Sequence, residues 1–195
     1  MIKETLEEKM VVYKNIMPEN IDILKDLEEI FDSYDRDFVR ATINNHEYLP
    51  ELRSCTVFSL FTDNSESDLK EYQNKKIALN SKINKNLAPA IIDYIKEYDI
   101  RLKEKESWEI LRYQESQKLT WHSDDGEAHP CLISFVYYIN DDYQGGEIEF
   151  KEKLGGIPYK PETNSLIIFP SSSDYIHRVL PITKGTKYAG ISFGR

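Results

Sequence analysis

The sequence predicts a mainly β protein with some α: an antiparallel sandwich or barrel in its second half, backed by helices from its first. Three observations point there. Residues 106–195 hold six short apolar or alternating runs, separated by turn-formers such as DDYQGG, GGIPYKPET, SSSD and TKG. No helical stretch lies between those runs, whereas a parallel sheet needs crossover helices. Residues 1–105 are more charged and place apolar side chains at helical spacing. No Gly/Ser linker parts the halves, so the 195 residues read as one compact domain, with 1–105 a helical support region and 106–195 the β core.

The elements follow in order. Residues 10–13 (MVVY) form a short strand. Pro18-Glu19-Asn20 opens a helix whose apolar positions are Leu24, Leu27 and Phe31. Residues 61–82 are polar and unpatterned, the composition of a mobile loop or lid. A second helix starts near Asn86, with Leu87, Ile91, Tyr94, Ile95 and Tyr98 in one stripe and Pro89 in its first turn, where proline is tolerated. Strands are expected at 109–113, 132–139, 147–150, 165–169, 175–180 and 188–193. Thr183-Lys184-Gly185 reads as a three-residue hairpin loop with Gly185 in the left-handed position. That hairpin sets Pro181 opposite Lys187 and His177 opposite Ile191, and puts His177, Val179, Lys187, Ala189 and Ile191 on one face.

Composition narrows the function. Thirty-four acids against 25 bases give a net charge of −9, unfavourable for phosphate backbones, so a nucleic-acid partner is disfavoured. Cys55 and Cys131 stand far apart in no CxxC pair and read as reduced, buried small residues. The N-terminus is charged and lacks the apolar core of a signal peptide. No apolar run approaches the ~20 residues of a membrane span. Together these predict a cytoplasmic protein with no membrane partner.

The chemistry gathers around few residues. Among four histidines, His122 stands two before Asp124, a spacing that puts both side chains on one side of an extended chain. His177 lies in another expected strand. Two histidines and a carboxylate make the facial triad of non-haem Fe(II) oxygenases, although an isolated HxD pair also describes a turn histidine beside a solvated aspartate. Lys187, on the apolar side of a strand near His177, calls for a counter-charge. Asp125 alternates away from the triad. His129 sits in a polar loop, His46 in the helical half, and Gly145-Gly146 makes a tight turn with no helix after it. Arg178 faces opposite His177, Trp121 shields the metal or lines an entrance, and Tyr137 points to the helical layer.

These pieces together resemble the Fe(II)/2-oxoglutarate dioxygenases of prolyl 4-hydroxylase type. The resemblance runs from about residue 108 to the C-terminus through Arg112-Tyr113, His122-Ser-Asp124, residues 135–140 (FVYYIN), Gly145-Gly146-Glu147, Phe169-Pro170-Ser171, His177-Arg-Val and Lys184-Gly-Thr-Lys187-Tyr188. It implies a double-stranded β-helix (jelly-roll) core. His122, Asp124 and His177 match the family's iron ligands. Lys187 matches its basic residue for the distal carboxylate of 2-oxoglutarate, and Tyr138 and Tyr113 match tyrosines near that co-substrate. Fe(II), 2-oxoglutarate and dioxygen are the implied cofactors, with ascorbate an optional addition. The implied reaction is hydroxylation of an unactivated C–H, with succinate and CO2 released. A prolyl side chain of a peptide or protein is the favoured substrate, and a free amino acid or small metabolite the alternative. One departure stands out: Ser116 and Leu119 replace the glycine and tyrosine the family often carries before its HxD motif. A non-catalytic jelly-roll binding module and a zinc hydrolase are the rival readings.

Overall fold

The computed structural model describes residues 1–34, 36–43, 47–62, 70–126 and 130–195. In chain order its strands are β1 (Ile2–Glu7), β2 (Met10–Lys14), β3 (Val39–Arg40), β4 (Thr56–Ser59), β5 (Glu109–Tyr113), β6 (Leu119–His122) and β7 (Ile133–Tyr138). They continue as β8 (Gln144–Gly145), β9 (Ile148–Phe150), β10 (Ser165–Pro170), β11 (His177–Val179), β12 (Ile182–Lys184) and β13 (Lys187–Gly194). Helices α1 (Ile23–Tyr34) and α2 (Lys70–Glu97) lie in the first half. An eight-stranded sheet has the order β1-β2-β10-β7-β13-β5-β4-β3. Opposite it lie a three-stranded sheet, β6-β11-β9, and the pair β12-β8. All these ladders are antiparallel.

Period-two alternation sorts each long strand between two cores. Val11 and Tyr13 of β2, Leu166 and Ile168 of β10, and Phe135 and Tyr137 of β7 pack on the helix side. Their neighbours Met10, Val12, Ile167, Phe169 and Tyr138 turn inward, toward Ile148 and Phe150 of β9. The helices cover the outer face with Leu27 and Ile30 of α1, and Leu79, Ile83, Leu87 and Tyr94 of α2. Asp22 caps α1, its Oδ1 accepting from Lys25 N at 3.0 Å. Helix α2 also grips the start of β5. Asn84 Oδ1 accepts from Trp108 Nε1 at 2.9 Å, and Asn80 Oδ1 from Trp108 N at 3.0 Å, satisfying both donors of a fully buried tryptophan. Among the described residues no helix is long and apolar enough to cross a membrane.

The structure corrects four expectations. Helix α2 begins at Lys70, so 70–82 is helix rather than loop, while 63–69 lies outside the described residues. Its buried series is Tyr72, Lys76, Leu79, Ile83, and the lysine hides the period from an apolar count. Pro89 therefore stands well inside the helix, not in its first turn. The first half also supplies β1 through β4 to the large sheet, so it is more than helical support. Finally, β12 pairs with β8 and β11 with β6 and β9, which dissolves the expected hairpin register between 177–181 and 187–191. Gly185 does take the left-handed conformation, at φ +81°, but the turn delivers β13 to the opposite sheet.

Candidate active site

His122 closes β6 and His177 opens β11, and the two stand directly opposite in the antiparallel register. Their ring centroids are 4.2 Å apart. Each Nδ1 meets the carbonyl two residues before it: His122 with Thr120 O at 2.9 Å, His177 with Tyr175 O at 3.0 Å. An Nδ1–H donated to a carbonyl leaves Nε2 as a lone pair aimed at the interior, the tautomer a metal requires. Asp124 follows the end of β6, with Oδ1 3.3 Å from His122 Nε2 and Oδ2 3.8 Å from His177 Nε2. One candidate ligand atom from each residue lies within 4.8 Å of the others, the spacing of donors around an ion with bonds of about 2 Å.

The surroundings fix charge as well as position. Ser134 Oγ donates to Asp124 Oδ2 at 2.6 Å and sits 2.8 Å from Ser171 Oγ. Burial opposes the Asp124 charge, but His177, His122 and Ser134 outweigh it and hold the carboxyl down at about 2. His177 packs against Phe150 and Phe169, with centroids at 5.5 and 5.1 Å. That burial lowers its pKa to about 4, against the pull of Asp124. The site thus offers a neutral buried imidazole and an ionised carboxylate, beside a second imidazole held in the ligating orientation. That donor set fits Fe(II), which two-histidine-one-carboxylate sites with open positions take.

Lys187 reaches the same interior from β13 and is only 1% exposed. Its Nζ donates to Gly146 O at 2.7 Å and lies 4.8 Å from the Tyr138 ring centre and 5.6 Å from that of Tyr113. Both tyrosines flank it in register, Tyr113 opposite Lys187 on β5 and Tyr138 opposite Ala189 on β7. Burial pulls the ammonium down to about 7, partly opposed by Glu147. The Tyr113 hydroxyl is buried beside the Cys55 thiol without a hydrogen-bond partner, and burial raises its pKa well above the usual phenol value. Tyr143, whose ring centre is 5.9 Å from Nζ, has a similarly orphaned hydroxyl. A buried cation with idle hydroxyls around it fits the far carboxylate of a dicarboxylate. Gly146 makes the approach possible: at φ +69° a Cβ there would stand 2.3 Å from Ile182 Cδ1.

The His122–Asp124–His177 cluster and the lysine line one cavity of about 420 Å³. His177, Val179, Lys187, Ala189 and Ile191 all face it, although the first two come from β11 and the last three from β13 on the opposing sheet. Trp121, 39% exposed, lines its mouth with Arg178 stacked at 4.4 Å. Arg178 itself points away from His177 and bonds Glu149. Asp125 is exposed, accepts from Cys131 N at 3.1 Å and stays out of the cluster. Tyr137 packs in the helical layer, and both cysteines are buried and outside any disulfide among the described residues. His46 and His129 lie outside the described residues. Ser116 adopts φ +66°, a glycine-like conformation held by its N–H to Ile182 O at 2.8 Å, and Leu119 lines the cavity. Sequence reasoning missed Arg53 and Glu109, which also line the cavity. Glu109 was readable as an acid in phase with the inward Leu111 and Tyr113; nothing local marks Arg53.

Comparison with known proteins agrees with this geometry. Residues 108–194 match the family model of the 2OG-Fe(II) oxygenase superfamily. A PKHD-type hydroxylase of Synechococcus sp. (strain JA-2-3B'a(2-13)) is 33% identical over 92 residues, 43% of this chain and 40% of that protein. One of Parvibaculum lavamentivorans is 32% identical over 90 residues, 44% and 40%. The chain therefore spans about two fifths of the length of these relatives. Among solved structures, a viral collagen prolyl hydroxylase from Paramecium Bursaria Chlorella virus-1, in complex with 2OG, aligns over 96% of both chains with TM-score 0.65 and 16% identity. A prolyl hydroxylase from Trichoplax adhaerens, in complex with a hypoxia inducible factor peptide fragment, covers 95% of this chain and 83% of its own, with TM-score 0.66 and 14% identity. The fold is the jelly-roll of these proteins, and residues 108–194 are similar to the 2OG-Fe(II) oxygenase superfamily.

Proposed function

We propose that this chain is an Fe(II)- and 2-oxoglutarate-dependent dioxygenase that hydroxylates an unactivated C–H. The observation that supports it best is the meeting of His122, Asp124 and His177 at one wall of a cavity that also buries the Lys187 ammonium. In the proposed reaction one atom of dioxygen enters the substrate as hydroxyl and the other enters succinate, with CO2 released. Fe(II) with chelated 2-oxoglutarate supplies the dioxygen chemistry; the chain supplies ligation, orientation and dryness. His122 and His177 would ligate through Nε2, and Asp124 through a carboxylate oxygen while Ser134 restrains the other. Lys187 would pair with the distal carboxylate, with Tyr138 and Tyr113 as hydroxyl donors. Phe150 and Phe169 keep water from the His177 side.

The substrate reading starts from the resemblance: a proline-like ring, borne by a peptide or protein or presented as a free amino acid. Ascorbate enters as an auxiliary reductant, read out by whether its omission shortens the run of turnovers. The test of the core reading is anaerobic addition of Fe(II) and then 2-oxoglutarate to the protein. The charge-transfer absorption of a chelated keto acid is the expected result. A protein that binds metal but gives no such band, and whose activity ignores 2-oxoglutarate, would be a hydrolase or a binding module.

A further inference from the structure

Beyond the metal ligands and Lys187, the cavity holds one more pair of charges. Arg53 precedes β4 and bridges to Leu119 of β6, so it crosses from the large sheet to the small one. Its Nη1 donates to Thr42 O at 3.2 Å, while its Nε is buried with no partner. Glu109 opens β5 on the inward face, opposite Ile191, and among the described residues its carboxylate makes no hydrogen bond. No ion pair joins the two directly. Burial pushes the Glu109 carboxyl up, and Arg53 only partly opposes it. Half-buried opposite charges with idle donors and acceptors are costly unless a ligand completes them. Around them the mouth is apolar, formed by Ile43, Leu52 and Trp121.

We propose that this lobe binds a free α-amino acid, its α-carboxylate on Arg53 and its α-ammonium on Glu109, so that its side chain is presented to the metal. The inference rests on the oxygenase reading above and names its substrate class. A residue inside a peptide offers a neutral N–H or tertiary amide and a neutral carbonyl at those two points, leaving both charges unmatched. A free amino acid matches both. The cavity volume of about 420 Å³, which must also admit 2-oxoglutarate, lies toward the small end of the usual range for small-molecule sites.

The test is calorimetry on the full chain loaded with Zn(II), which is redox-inert, and 2-oxoglutarate. Each of the twenty free amino acids is titrated. For the tightest binder, its N-acetyl form, its carboxamide and a capped tripeptide with that residue in the middle follow. The free form should bind, and each blocked form should bind about 10- to 100-fold more weakly, the value of one charged hydrogen bond. Glu109→Gln should erase the penalty for acetylation and keep that for amidation; Arg53→Gln should do the reverse. Uniform weakening of every form by both variants would mean a merely structural role and overturn the proposal. So would a tripeptide that binds as well as the free amino acid, or no free amino acid binding at all. Should the variants fail to fold, the blocked and free forms on the parent protein decide alone. The charge-transfer band with Fe(II) and 2-oxoglutarate separates the failures: its absence sinks the oxygenase reading, while its presence without amino-acid binding sinks only this proposal.

Discussion

Replacing Lys187 by Met keeps most of the volume of the stem and deletes the ammonium. In the unliganded protein burial holds this lysine near 7 instead of 10.5. A dianion seated against Nζ needs it charged, so binding above pH 7 takes up a proton and weakens with pH. The apparent dissociation constant for 2-oxoglutarate should rise roughly 10-fold from pH 6 to pH 8 in the parent protein. Asp124 at about 2 stays ionised and His177 at about 4 stays neutral across that range. In Lys187→Met the affinity should fall by more than about 100-fold, since an unpaired buried charge costs about 3–5 kcal/mol, and the slope with pH should vanish. Anaerobic titration of the charge-transfer band at several pH values reads both effects. The same change has an opposite effect on the empty protein. The folded pKa lies below the unfolded one, so the unfolded chain binds more protons between about 7 and 10.5, and stability rises with pH through that window. Below it the native state bears the full penalty of a buried ammonium, roughly 5 kcal/mol at 1.36 kcal/mol per unit. Lys187→Met should therefore withstand more denaturant than the parent at pH 6. Affinity that is flat with pH in the parent, together with undiminished binding in the variant, would refute the reasoning.

Three further outcomes are expected. His177→Gln should abolish Mn(II) binding measured by electron paramagnetic resonance. Because the folded imidazole titrates near 4 and the unfolded one near 6.5, the parent should lose stability as pH falls through that interval, by roughly 3 kcal/mol, and the variant should lose less. Ser134→Ala removes the hydroxyl that donates to Asp124 Oδ2, and metal affinity by calorimetry should drop about 10- to 100-fold with little change in melting temperature. Asn84→Ala orphans the Trp108 indole N–H under α2, and urea unfolding should show a loss of about 1–3 kcal/mol.

Much of the β core was readable because its strands alternate cleanly: the expected 109–113 matches β5, and 165–169 and 188–193 fall within β10 and β13. The HxD spacing and Lys187 were readable for a similar reason, since each places a polar group where a strand should be apolar. Other parts left no such mark. Strand β1 (IKETLE) is an exposed edge strand of mixed charge, with nothing buried to impose a period. The first turns of α2 were masked by Lys76, which is buried among aromatic rings and bonds Phe61 O. The partner of β11 depends on which sheet each strand joins, a non-local choice that a three-residue turn at Gly185 does not reveal. Arg53 enters the cavity through a bridge to a residue 66 positions away, beyond the reach of local pattern.

The two clustered histidines and the buried lysine are mounted on different sheets. His122 and His177 belong to the three-stranded ladder, Lys187, Tyr113 and Tyr138 to the eight-stranded one. Asp124 is tethered to both, following β6 in the chain while bonded to Ser134 of β7. In the proposed complex, a dicarboxylate held by metal at one end and lysine at the other would act as a strut between these two plates. Its length then gauges their separation: a diacid one carbon shorter or longer must pull the plates together or force them apart. Selectivity for chain length becomes an elastic property of the whole sandwich, open to tuning by side chains such as Phe150 and Phe169 that touch neither end of the strut.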